Sequence, residues 1–373
     1  MDKKKILVVS RSFYPENSPR SFRTTELVKE MCRQGHDVTL ITIKDEKEHP
    51  AIEKEFGVKI KDMGPLRFKP INLSKGSSLL ILFKRAVNRA LLLLIEYPDI
   101  ELMFKVKKAL KKESGYDLLV SIAVPHPVHW GTAWARSKKN PIAPVWVGDC
   151  GDAYMGVIKH DSFSKLFYFK YLEKWFCRKA DYISIPNIMM KVNYYPEFHP
   201  KIIEIPQGFK FDDVQVQKTQ PNHAVPTFAF AGIFMRTTRN PTSLIEYLIK
   251  TGKDFKFIVY TRTPDLLLPY LPVLKDKLEI RQYIPRLQLL GELAQMDFLI
   301  NIGYDPAQQA PSKLIDYCLT GRPILSLSTN EADKNIIDQF LSGDYSGAFK
   351  NNNLEQYRIE NVCRLFTGLI SSK

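Results

Sequence analysis

With 373 residues, 45% of them hydrophobic and 25% charged, the chain has ordinary globular composition and more length than one core absorbs, so two domains are expected. Its five cysteines form no Cys-x-x-Cys pair, which argues against a zinc site and a disulfide framework and fits a reducing cytoplasm. The formal charge of +14 calls for anionic company, with nucleic acid, an anionic membrane surface and phosphorylated substrates as the candidates.

The chain opens on Lys3-Lys4-Lys5 and a short apolar run, Ile6 to Val9, too brief for a signal peptide's core or a membrane span, so export is not expected. Ile6–Ser10 reads as a buried strand, Phe22–Gln34 as an amphipathic helix closed by Gly35, and Val38–Ile43 as the next strand, which makes one βαβ unit. The loop between them contains Asn17, Ser18 and Arg20. A loop of this kind can close over a diphosphate with backbone amides, assisted by Arg20 or Arg23.

Between Pro65 and Lys112 there are eleven Lys and Arg against three Asp and Glu, interleaved mainly with leucine, which points to a membrane face more than a nucleic-acid face. Within it, Ser78–Ile95 has Lys84, Arg85, Asn88 and Arg89 on one helical side and Leu79, Leu80, Phe83, Val87 and Leu94 largely elsewhere. A basic amphipathic helix can lie in the headgroup region of an anionic bilayer; a core-packing helix with a solvated face is the alternative.

Strands follow at Asp117–Ser121, Pro144–Val147, Tyr182–Ile185 and Ile202–Ile205, with a long helix near Phe163–Lys179. His126 and His129 come just after the first of these strands, and Asp149 and Asp152 just after the second. His126 and Asp152 are the candidates for acceptor contact, against the readings of a loop histidine and a helix cap. From Lys210 to Pro226 the chain turns polar and aperiodic, giving domains at 1–210 and 227–373 joined by a linker at 211–226. The last helix is free to pack back on the N-terminal domain.

The second half repeats the grammar with strands at Thr227–Ala231, Lys256–Thr261, Leu278–Gln282, Phe298–Ile302 and Ile324–Leu327, so the class is α/β. Gly232 ends the first of these strands, and Arg236 and Arg239 lie in the loop before the next helix. Guanidinium groups there suit a leaving diphosphate that gains charge as its bond breaks. Ser312, Lys313 and Leu314 open a later helix, whose free N–H groups and positive dipole end suit a diphosphate. Asp316, further along, can accept hydrogen bonds from ribose hydroxyls. A surface cap and a surface acid are the structural alternatives for Ser312 and Asp316.

The run from Pro311-Ser312-Lys313 through Asp316-Tyr317 to Gly321-Arg322-Pro323 resembles the donor-binding segment of the family-4 retaining glycosyltransferases. That family's signature is Glu, seven residues, Glu; here the second acid is Asp316 and the first position is Gln308, which keeps hydrogen-bonding capacity and loses the charge, with Asp305 three residues earlier. Gly232 with Arg236 and Arg239, the turn around Tyr283 and Ile284 where the family meets the nucleobase, and the opening loop before Gly35-His36-Asp37-Val38 are similar in order and spacing. The Asp149–Asp152 pair is similar to a pattern in relatives that act on lipid-linked acceptors.

The resemblance implies a GT-B fold of two Rossmann-like domains facing across a cleft, with the nucleotide-sugar donor bound in the C-terminal one and the acceptor in the N-terminal one. It further implies retaining transfer of a hexosyl or N-acetylhexosaminyl group to a lipid-linked saccharide in cell-surface polysaccharide synthesis, by a front-face mechanism. His126, Asp152 and Gln308 are then the catalytic candidates. Neither metal nor cofactor is expected, and the location is cytoplasmic, peripheral on the inner face of the membrane, with no nucleic-acid partner. A non-catalytic nucleotide- or nucleic-acid-binding protein on a degenerate scaffold is the rival. A dehydrogenase is disfavoured because no Gly-x-Gly-x-x-Gly follows a strand.

Overall fold

The computed structural model describes residues 2–74, 77–155, 165–216, 221–303, 312–328 and 333–371. The chain forms two compact units, one of residues 1–209 with 359–373 and one of residues 210–358. The first unit contains β1 (Lys5–Ser10), α1 (Pro19–Arg33), β2 (Asp37–Thr42), α2 (His49–Phe56), β3 (Lys59–Asp62), α3 (Ser78–Ile95), α4 (Glu101–Leu110), β4 (Leu118–Ile122), α5 (Pro127–Ala135), β5 (Val145–Asp149), α6 (Phe169–Lys179), β6 (Tyr182–Ile185) and β7 (Ile202–Glu204). The second holds β8 (Thr227–Ala231), α7 (Thr242–Thr251), β9 (Lys256–Tyr260), α8 (Leu271–Leu274), β10 (Leu278–Arg281), α9 (Arg286–Leu293), β11 (Phe298–Ile302), α10 (Ser312–Thr320), β12 (Ile324–Leu327) and α11 (Lys334–Leu341); α12 (Ile359–Gly368) returns to the first.

Both sheets are parallel, ordered β3-β2-β1-β4-β5-β6-β7 and β10-β9-β8-β11-β12. Parallel strands covered on both faces must be apolar throughout, which is why ILVVS, LLVSI and FLINI are buried along their whole length. In each sheet the strand order reverses beside the first strand, between β1 and β4 and between β8 and β11. Ligands in such sheets bind outside the carboxyl ends of the strands at that switch.

Four elements of the first unit, α2, β3, α4 and α5, are not among those expected from the sequence. Lys59–Asp62 is an edge strand of which only Ile60 is buried. Pro127–Ala135 is a helix with the sequence PVHWGTAWA, nearly all buried; a helix apolar on every side carries no periodic stripe to read. It lies so close to α4 that a Cβ on Gly131 would stand 2.6 Å from the Met103 carbonyl oxygen and 2.8 Å from Val106 Cβ. Gly131→Ala should therefore destabilise the first unit by about 1–3 kcal/mol through overpacking, read from urea unfolding by tryptophan fluorescence.

The second unit stops at Arg358, because the apolar face of α12 packs on the first unit. Ile359, Val362, Cys363 and Phe366 join the core beneath α1, with Leu27, Val28 and Met31. Cys363 Sγ donates to the Leu27 carbonyl at 3.7 Å, and Gln34 Nε2 donates to that of Glu360 at 3.2 Å. Each fully buried apolar side chain of this kind contributes about 1.5–3 kcal/mol.

Candidate functional site

In the second unit the carboxyl ends of β8, β9 and β10 open onto a cavity of about 210 Å³, bounded by Gly232, Tyr260, Arg262, Tyr283, Ile284, Arg286, Lys313, Asp316 and Tyr317, with Leu289, Leu290 and Leu293 behind. Gly232 ends β8 at φ +148°, a backbone angle that side chains resist, and its N–H continues the ladder to the Tyr260 carbonyl at 2.9 Å. Tyr317, buried on α10, ties that helix to the same strand end: Ala231 N–H donates to its hydroxyl at 2.7 Å.

After Gly232 the chain doubles back, with Met235 and Arg239 exchanging backbone hydrogen bonds of 3.2 and 3.0 Å. The hairpin rests against Gly303, at φ +78° just after β11, where a Cβ would come within 1.9 Å of the Thr238 carbonyl oxygen. Glycine at 303 thus lets Arg239 approach the strand ends. Arg239 is half-buried, and Arg236, at the hairpin tip, is exposed.

Lys313, at the start of α10, has a solvent-inaccessible Nζ without a hydrogen-bond partner among the described residues. It sits 4.0 Å from the centroid of the Phe230 ring and 5.9 Å from that of Tyr317. Burial, and next the positive charge of Arg239, bring its pKa down to about 7. A desolvated ammonium with only ring faces around it costs free energy in the unliganded protein, which an incoming anion would offset.

One turn on, Asp316 Oδ1 accepts from Arg286 Nε at 3.0 Å and Nη2 at 2.6 Å. Burial raises the Asp316 pKa and the Arg286 charge opposes that rise. Both donors converge on one oxygen, so Oδ2 keeps its acceptor capacity. Across the cavity the Arg262 guanidinium lies 4.1 Å from the Tyr283 ring centroid. Tyr283 is exposed and Ile284 half-buried.

The structure therefore brings Gly232, Tyr283, Ile284, Lys313 and Asp316 around one cavity and sets Arg239 close enough to act on Lys313. The Leu314 side chain points away, into the core with Ala231, Tyr260 and Leu293. Gln308 and Asp305 lie outside the described residues, as does the Ser312 side chain. Arg286 and Arg262 were missed: Arg286 merely follows Pro285 at a helix start, and only the fold reveals that it faces Asp316 thirty residues later.

In the first unit Asp149, at the end of β5, is 1% exposed and buried with Arg23, 4% exposed. Arg23 donates to Oδ2 from Nε at 3.1 Å and to Oδ1 from Nη2 at 2.7 Å, and also to the carbonyls of Ile205 and Pro206. Ser184 adds a hydroxyl to Oδ1 at 2.7 Å, and Arg20 stands 3.7 Å from Oδ2. Burial opposes ionisation of Asp149, but Arg23, Arg20 and Ser184 together hold its pKa below the usual value.

Arg20 lies flat against Gly151, where a Cβ would fall 1.6 Å from Nη2. Ser18 caps α1, its hydroxyl accepting from Ser21 N–H at 3.1 Å, and Asn17 is exposed before it. His126 precedes α5 with its ring 5.0 Å from that of Tyr154 and with a buried Nδ1 that has no partner among the described residues. Burial, His129, Lys165 and Arg20 drive its pKa well below the ordinary histidine value, so it is neutral.

His129 is wholly buried. Ser121 Oγ accepts from Trp146 Nε1 and is hydrogen-bonded to His129 Nδ1, both at 2.8 Å, and His129 Nε2 lies 3.4 Å from Cys150 Sγ. Asp152 is exposed. Of the two carboxylates after β5, Asp149 is thus the locked one and Asp152 the solvent-facing one. Among the described residues no group of three His, Cys, Asp or Glu is arranged to hold a metal ion.

No family model matches the chain, and no curated protein matches its sequence. Solved structures do match its shape. A glycosyltransferase from Rickettsia africae is 12% identical with a TM-score of 0.63, covering 100% of this chain and 99% of its own. TarM of Staphylococcus aureus is 11% identical with a TM-score of 0.64, covering 99% of each chain. HepE from Anabaena, solved with UDP and glucose, is 12% identical with a TM-score of 0.60, covering 99% of this chain and all of its own. What this likeness shows is the fold: two parallel-sheet α/β units in the GT-B architecture, along the full length of the chain.

Proposed function

We propose that the protein transfers a sugar from a nucleoside-diphosphate sugar held in the second unit. The observation that carries this reading is Lys313, a buried ammonium without a hydrogen-bond partner among the described residues, at the N-terminal turn of α10 beside Gly232 and Arg239. Helix dipole, Lys313 and Arg239 supply fixed positive charge where a diphosphate leaving group gains negative charge. The cavity is smaller than the roughly 300 Å³ of a typical whole-ligand pocket. Its apolar wall and the Tyr283–Ile284 turn suit a nucleoside, with Asp316 on the ribose and the diphosphate emerging at Gly232.

In this proposal transfer proceeds with retention by a front-face route, without metal, from a hexosyl or N-acetylhexosaminyl donor. The acceptor is a lipid-linked saccharide approached from the first unit through His126 and Asp152. Neutral His126 has a buried Nδ1 without a partner among the described residues, an acceptor that a sugar hydroxyl would reach once the side chains covering it move aside. The match to HepE, whose structure contains UDP and glucose, favours UDP within the class.

A thermal-shift panel of UDP, GDP and ADP checks the donor reading. One nucleotide should raise the melting temperature selectively, with stabilisation reaching about 2.7 kcal/mol at a hundredfold excess over Kd. Silence across all three would return the protein to a purely binding or degenerate scaffold. Product anomeric configuration by NMR then decides retention.

A further inference from the structure

The 18-residue helix α3 has no buried residue, although it is rich in leucine. Leu79, Phe83, Ala86, Ala90 and Leu94 follow one another at four, three, four and four residues and so share one face at 3.6 residues per turn. That face is open: Leu79 is 81% and Phe83 66% exposed. The half-buried side is instead formed by Ile81, Lys84, Asn88 and Leu91, so the outermost stripe carries no charge at all. Arg85 and Arg89 flank it and line, with Leu73, Leu82, Leu92 and Lys165, a groove of about 590 Å³.

The helix is fastened at its C-terminal end. Glu96, in a left-handed conformation at φ 56°, accepts from the Tyr154 hydroxyl at 2.6 Å and pairs with Lys165 at 2.7 Å. Tyr168 donates its hydroxyl to the Leu94 carbonyl, and its neighbour Phe167 is 70% exposed. Among the described residues no helix is long and apolar enough to cross a membrane. An exposed apolar stripe flanked by cations can instead lie along a bilayer.

We propose that α3 docks in the plane of an anionic bilayer, with Leu79, Phe83 and Leu94 among the acyl chains and Arg85 and Arg89 on lipid phosphates. Charge selects this occupant over a second copy of the chain: α3 carries three cations and no anion along its length, so two such helices would repel. Because Tyr154 joins the Glu96 clamp to the His126 ring, the docked helix would hold the proposed acceptor side of the first unit at a fixed distance from the lipid surface.

The test sediments the full chain with phosphatidylcholine vesicles, with and without phosphatidylglycerol. Binding should require phosphatidylglycerol and weaken with salt. Leu79→Glu with Phe83→Glu should abolish it, and Arg85→Gln and Arg89→Gln should each weaken it about fivefold. All four residues are exposed, so the variants keep their tryptophan fluorescence and their nucleotide-induced thermal shift, which separates this inference from the donor reading. Unchanged binding by the variants, no binding by the wild type, or a dimer that Leu79→Glu with Phe83→Glu dissociates without any vesicle binding would each overturn it.

Discussion

Arg23→Met should destabilise the first unit by about 3–5 kcal/mol at neutral pH, because it strands the Asp149 carboxylate in a site with 1% exposure. Asp149→Asn should cost less, since Arg23 keeps the Ile205 and Pro206 carbonyls. All four tryptophans, Trp130, Trp134, Trp146 and Trp175, lie in the first unit, so urea unfolding followed by their fluorescence isolates the effect. The pH dependence has a definite sign. The folded pKa of Asp149 is depressed, so its contribution is present above the unfolded value of about 3.9 and is lost as pH falls through the folded one. Without Arg23, burial raises the Asp149 pKa, so the deficit of the methionine variant should shrink on acidification, beginning above the unfolded value of about 3.9 and continuing below it as the wild type loses its own contribution. A deficit independent of pH would assign the loss to packing instead.

Lys313→Met should weaken nucleoside-diphosphate binding roughly ten- to hundredfold, the value of one charge-assisted hydrogen bond to phosphate. It should not destabilise the free protein. The folded pKa of Lys313, about 7, lies below the unfolded value of about 10.4, so in the free wild type its strain is greatest below pH 7 and is relieved as pH rises between the two. A bound diphosphate raises that pKa, so binding takes up a proton and affinity falls as pH climbs above 7. Stability of the free protein and affinity for the nucleotide should thus move in opposite directions across that range. Calorimetry in two buffers of different ionisation enthalpy reads the proton uptake directly, and Lys313→Arg, whose charge does not titrate there, should bind without it. An affinity flat with pH in the wild type would remove Lys313 from the phosphate.

The strands and the class were legible because apolar runs of five or six residues between helical-period segments have few other readings. Gly232, Lys313 and Asp316 were legible for a related reason: strand end, glycine and helix start are local features, and the cavity forms where three of them converge. What escaped depends on distant partners. Nothing near Asp149 announces that Arg23, 126 residues away, will bury it, so a buried ion pair and a solvent-facing carboxylate looked alike in sequence. The basic character of α3 was visible, but which side faces outward was not. Periodicity places Lys84 and Arg85 together, whereas packing turns Lys84 inward and leaves the leucine and phenylalanine stripe outside.

The return of α12 sets an order of assembly. The second unit is one continuous stretch, 210–358, and contains all of its own sheet before α12 has been synthesised. The first unit cannot close the apolar surface of Leu27, Val28 and Met31 until Ile359 to Phe366 have left the ribosome. The half encoded second is thus the first to be complete, and the half encoded first waits for α12 to be synthesised.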